Sequence, residues 1–145
     1  MRIYFSGSIS GGREQAHVYP RIIELLNKYG EVLTEFVADQ NRTRMGEPTF
    51  SPAEVYRRDV KLIDQCDVMV AEVTVPSFGV GVEVARAGFQ GKPVLALYQP
   101  RDDRRLSAMI SGDPNVTVAK YTSIEEAREA VERFFDGMTS DSATP

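Results

Sequence analysis

The sequence predicts an α/β fold: a doubly wound, open parallel sheet of about five strands, with helices on both faces, of the flavodoxin or Rossmann type. Three observations carry this. Short apolar runs and amphipathic runs alternate along the 145 residues. The strand runs, such as Val68-Met69-Val70-Ala71, are continuously apolar, as in a parallel sheet covered on both faces. Glycine-rich turns follow two of the strands, where open α/β sheets place their sites.

Arg2–Ser6 reads as the first strand. Glu14–Tyr29 reads as a helix, with Val18, Ile22, Leu25, Leu26 and Tyr29 at helical period and Gly30 as its C-cap. Glu31–Val37 is the second strand. The polar stretch Ala38–Phe50 contains Gly46 and Pro48 and is expected to be a long loop that acts as a lid. Ser51, Pro52 and Glu54 form a capping-box pattern for a helix to about Gln65. Asp67–Val73 is a strand, Gly79–Gln90 a helix, and Pro93–Tyr98 and Asn115–Lys120 two further strands. Ser123 caps a last helix with Ile124, Ala127, Val131, Phe134 and Phe135 on its apolar side. Residues 1–137 are expected to form one domain and 138–145 a disordered tail.

A content of 42% hydrophobic and 26% charged residues suits a globular domain with a sizeable core. The net charge of −4 argues against a nucleic-acid polymer as partner. No membrane partner is expected, because no apolar run is long enough to span one. Cys66 is the only cysteine, so an internal disulfide is excluded. With no secretory signal visible, a cytoplasmic location is expected. His17 is the single histidine and lies in a polar helical stretch, which disfavours a zinc site or a Ser-His-Asp triad.

The stretch Pro76-Ser77-Phe78-Gly79-Val80-Gly81-Val82-Glu83 is the most informative. Gly79 and Gly81 let a ligand approach the backbone, and Glu83 follows in the expected first helical turn, where the dipole keeps a carboxylate ionised. A surface Glu that merely stabilises the dipole is the bland alternative, and the glycines favour function. Asp59 falls on the same helical stripe as Val55, Leu62, Ile63 and Cys66, so it is expected to face inward, either as an acid–base group or paired with Arg57 or Arg58. Period two puts Tyr4 and Ser6 on one strand face, where the Tyr4 hydroxyl is placed to meet a carboxylate.

The turn Gly7-Ser8-Ile9-Ser10-Gly11-Gly12-Arg13 has the glycine separation of a Walker A loop. Arg13-Glu14 stands in place of its Lys-Ser/Thr, and no dinucleotide fingerprint occurs. What remains is an anion cradle in which the Ser8 and Ser10 hydroxyls and free amides suit a monophosphate. Arg104, Arg105, Ser107 and Met109 lie between strands, either as an exposed basic loop or as phosphate-binding groups for a neighbouring subunit.

The segment from Tyr4 to Glu14 resembles the opening of the 2'-deoxynucleoside 5'-phosphate N-hydrolases, within the nucleoside 2-deoxyribosyltransferase family. The resemblance continues through Val32–Glu35, Asp59, Ala71–Thr74, Pro76-Ser77, Gly79–Gly81, Glu83 and Leu106–Ile110. It implies Glu83 as nucleophile, Asp59 as the aspartate that assists proton transfer and sugar orientation, and Tyr4 as support for the catalytic carboxylate. It implies Gly7, Ser8, Ile9, Ser10, Gly11, Gly12 and Arg13 around the nucleotide, and Ser77 and Gly79 at the phosphate. Ser107, Ala108 and Met109 would come from the partner subunit of a homodimer. No metal or cofactor is implied. Two positions depart from the family's mammalian pattern, which has Arg at Ser10 and His at Phe36. Phe36 is then a pocket wall able to stack on a base. The reading is hydrolysis of a deoxynucleotide N-glycosidic bond. Base exchange by a deoxyribosyltransferase, ribonucleotide hydrolysis and non-catalytic nucleotide sensing are its rivals.

Overall fold

The computed structural model describes residues 1–39 and 49–141. In chain order the elements are β1 (Arg2–Gly7), α1 (Tyr19–Leu26), β2 (Glu31–Val32), a 3-10 turn (Glu35–Ala38), α2 (Pro52–Gln65), β3 (Val68–Glu72), α3 (Phe78–Phe89), β4 (Val94–Tyr98), α4 (Ala108–Ser111), β5 (Val116–Lys120) and α5 (Ile124–Asp141). The sheet has five parallel strands in the order β2-β1-β3-β4-β5, which is the expected doubly wound architecture. Strand order reverses between β1 and β3. The crevice at their carboxyl ends is therefore the switch point where such sheets bind ligands.

Period two sorts the strands between two apolar layers. Ile3, Phe5, Val70, Leu95 and Leu97 pack with Tyr19, Ile22 and Leu26 of α1 and with Ala127, Val131 and Phe135 of α5. Tyr4, Met69, Ala71 and Ala96 face the other way, against Ile63 of α2 and Val80, Val84 and Ala87 of α3. Each large side chain so buried contributes about 1.5–3 kcal/mol.

Ser51 caps α2 as expected: it accepts from the Glu54 amide at 3.2 Å, while Glu54 accepts from the Ser51 amide at 2.7 Å. The far end of α2 is closed by Lys92, whose ammonium donates to the carbonyls of Ile63, Asp64 and Cys66.

Four boundaries differ from expectation. Helix α1 begins at Tyr19 rather than Glu14, because Pro20 lacks an amide and fits only the first turn of a helix. Strand β2 ends at Val32, not Val37. The Thr34 hydroxyl takes the next place on the edge of β1, accepting from the Phe5 amide at 2.8 Å and donating to the Phe5 carbonyl at 2.7 Å. The linker before β5 contains α4, capped by the Ser107 hydroxyl, which accepts from the Met109 amide at 3.3 Å. Helix α5 continues to Asp141, past the expected start of the tail at Met138. Most of the expected 38–50 loop and residues 142–145 lie outside the described residues.

Candidate active site

The switch-point cleft has a volume of about 540 Å³ and is lined from β1, α2 and α3. Tyr4 and Ser6 face it from β1. The Tyr4 hydroxyl donates to Glu83 Oε1 at 2.9 Å, and the Ser6 hydroxyl donates to Glu83 Oε2. One strand face thus holds both oxygens of the carboxylate. Glu83 is the sixth residue of α3, in its second turn, because the helix starts at Phe78. Helical side chains lean toward the N-terminus, which brings Glu83 back over the end of β1. The Ser77 hydroxyl caps α3 by accepting from the Val80 amide at 3.3 Å.

Glu83 is therefore not in the first turn, where the helix dipole was expected to act on it. Burial raises its pKa to about 7, helped by the Asp59 carboxylate and opposed by the hydrogen bonds from Ser6 and Tyr4 and by Arg58. Burial, Glu83 and Asp59 raise the Tyr4 phenol far above its usual range, so Tyr4 remains a neutral donor.

Asp59 also lines the cleft, from α2. It takes the paired alternative, with Arg58 Nη2 2.7 Å from its Oδ1. The Arg58 guanidinium lies 4.2 Å from the centroid of Phe36 and 5.6 Å from that of Phe50. Phe36 lines the cleft.

The first glycine-rich turn divides between lining and support. Gly7, Ile9 and Ser10 line the cleft. Ser8 is buried and its carbonyl accepts from the Tyr19 hydroxyl at 3.1 Å. A side chain at Gly11 would put its Cβ 2.7 Å from the Pro76 carbonyl oxygen, so Gly11 lets the two glycine-rich turns touch. Gly12 has φ of 143°, which only glycine adopts readily. Arg13 donates to the Asp39 carbonyl at 2.8 Å and lies over the Tyr19 ring.

Gly79 lines the cleft, whereas Ser77 lines a second hollow of about 640 Å³ on the other side of α3. Ser107 and Met109 line that second hollow, and Ala108 opens α4 at its exposed edge. Within one chain, Ser107 and Met109 lie in a different hollow from Glu83. Ser6 and Arg58 were absent from the sequence-based site. The period-two partner of Tyr4 was the signal for Ser6, and adjacency to Asp59 the signal for Arg58. Among the described residues, no three His, Cys, Asp or Glu side chains assemble as a metal site. No helix among them is long and apolar enough to cross a membrane.

The nucleoside 2-deoxyribosyltransferase family model matches residues 3–142. A Mus musculus protein named 5-hydroxymethyl-dUMP N-hydrolase is 42% identical over 99% of this chain and 87% of its own length. An Esox lucius protein of the same name is 39% identical over 97% of this chain and 100% of its own. The solved CMP N-glycosidase of Clostridium botulinum superposes with a TM-score of 0.64 at 20% identity, covering 92% of this chain and 99% of that one, which shows the shared fold. The chain belongs to the nucleoside 2-deoxyribosyltransferase family, as an enzyme of its N-glycosidase branch.

Proposed function

We propose that the protein hydrolyses the N-glycosidic bond of a 2'-deoxynucleoside 5'-monophosphate, giving a free base and 2-deoxyribose 5-phosphate. One observation carries the reading: Glu83, at the switch-point cleft, has one oxygen held by Tyr4 and the other by Ser6. A carboxylate oriented in this way suits attack on an anomeric carbon. As the Glu83 oxygen bonds to C1', the C1'–N bond breaks and its electron pair leaves with the base. Asp59 faces the same cleft and assists proton delivery to the base, directly or through water. Water then opens the glycosyl ester: its hydroxyl goes to C1', its proton replaces the one taken up by the base, and Glu83 is regenerated as the carboxylate, as in retaining glycosidases. Gly7, Ile9, Ser10 and Gly79 surround the nucleotide, and Phe36 faces the base.

The enzyme works as a cytoplasmic homodimer in this reading. Phe78, Val82 and Met109 are largely exposed on and beside α3. Contact with a second copy would cover them and deliver Ser107–Met109 toward the neighbouring cleft. The relatives' shared name makes 5-substituted deoxyuridine monophosphates the first substrates to try.

The test is a product assay with deoxynucleoside monophosphates, matching nucleosides and ribonucleotides, in wild type and Glu83→Gln. Base release from deoxynucleotides, lost in the variant, supports the reading. Base exchange between nucleosides would make the protein a transferase, and undiminished turnover in Glu83→Gln would overturn the covalent route.

A further inference from the structure

Glu83 and Asp59 share one cleft, and the charge on Asp59 makes charging Glu83 more costly. A cation beside the pair offsets this repulsion and favours the ionised form of both. Among the described residues, the cations lining the cleft are Arg58 and Arg86. Arg86 is engaged by Asp64 at 3.5 Å. Arg58 is on the carboxylate side: its Nε donates to Asp59 Oδ1 at 2.8 Å, and its Nη2 lies 2.7 Å from the same oxygen.

The aromatic rings of Phe36 and Phe50 lie against the Arg58 guanidinium. They come from chain segments before α2 and at its start. A planar guanidinium can stack on such rings while still presenting its edge donors to a carboxylate. An ammonium has no plane to stack, so lysine can keep the charge but not the clamp.

We propose that Arg58 is the positioning residue of this cleft, an aromatic-clamped cation that fixes Asp59 and balances the charge of Glu83. Its kinetic consequence rests on Glu83 being the nucleophile, whereas its effect on the charge of Glu83 does not. Among the described residues, the polar and charged groups lining the cleft with Glu83 are Tyr4 and Ser6 from β1, Ser10 from the turn after it, Arg58 and Asp59 from α2, and Arg86 one turn along α3. Tyr56 lines the same cleft from α2.

Carboxyl-carbon NMR of glutamate-labelled protein reads this directly, with the Glu83 signal assigned by Glu83→Gln. The titration of Glu83 is followed in wild type, Arg58→Met and Arg58→Lys, beside pH profiles of kcat and KM for base release. Arg58→Met is expected to move the Glu83 midpoint up by about one pH unit, and Arg58→Lys by less than half of that. In Arg58→Met, kcat at neutral pH falls about tenfold and recovers at higher pH, while KM moves less. If Arg58→Met does not fold, Arg58→Gln carries the same test, because it keeps donors without the charge. A Glu83 midpoint unmoved in a folded neutral variant overturns the proposal. So does an equal loss of kcat at every pH that Arg58→Lys fails to restore. A wild-type protein that releases no base would sink the hydrolase reading while leaving the NMR titration to decide the role of Arg58.

Discussion

Tyr4 and Glu83, 79 positions apart in sequence, are joined by a 2.9 Å hydrogen bond at the carboxyl end of β1. The bond fixes Glu83 Oε1 without charging Tyr4, whose phenol burial keeps protonated. Tyr4→Phe leaves the ring packed in its layer and removes only the donor. The free Glu83 carboxyl then becomes harder to ionise, because one bond favouring its charged form is gone. Steady-state kinetics of this variant should show kcat lowered about tenfold at neutral pH.

The pH profile follows from the same carboxyl. With the pKa of Glu83 raised to about 7 by burial, the ionised form that the proposed attack requires accumulates only as pH rises through that value. Base release by the wild type should climb through an acid limb near neutrality. Ser6→Ala should move the limb to higher pH, because the hydrogen bond from Ser6 favours the ionised form. A limb left in the ordinary carboxylate range in both proteins would contradict this environment for Glu83.

Stability and activity should separate at Glu83. Its pKa is higher folded than unfolded, so its contribution to stability is complete below the unfolded value of 4.5 and is lost as pH rises through about 7. Glu83→Gln stays neutral and escapes that loss. Urea denaturation at pH 8 should find the variant more stable than wild type, while base release falls at least about a thousandfold.

The fold was legible because its signals are local. Continuous apolar runs marked the strands, and Ser51-Pro52-Glu54 marked the start of α2. Boundaries failed where one side chain overrode a run: Pro20 delayed α1, and Thr34 used its hydroxyl to end β2. The site was partly legible. Glycine-rich turns and the Tyr4 face pointed to the strand ends that border the cleft. The charge state of Glu83 was not readable, because it depends on burial and on Asp59 and Arg58 from another helix. The Arg58 clamp was also hidden, since Phe36 and Phe50 approach it only after folding.

Lys92 supplies a test of α2 independent of catalysis. Its ammonium donates to the carbonyls of Asp64 at 2.9 Å and Cys66 at 2.8 Å, and also to that of Ile63, closing the helix that carries Asp59 and Arg58. Lys92→Met keeps much of the aliphatic stem and leaves these carbonyls without the ammonium. Urea denaturation should show a loss of about 1–3 kcal/mol. An unchanged midpoint would mean that water replaces the ammonium at no cost.

Glu72 carries the last prediction, on the opposite face of the sheet. It is fully buried among the α1 and α5 layer, with Oε1 accepting from Tyr121 at 3.0 Å and also from Thr74. Burial raises its pKa to about 7. The stability it contributes is complete below the unfolded value of 4.5 and is lost as pH rises through about 7. Glu72→Gln keeps the shape and an acceptor for Tyr121 and Thr74 without an ionisable group. Above pH 7 it should therefore be more stable than wild type by about 2 kcal/mol, and near pH 4 the two should converge. Because Glu72 faces away from the cleft, base release should stay within about twofold of wild type. A Glu72→Gln protein that is less stable than wild type at pH 8 would show that the buried charge is matched by its surroundings.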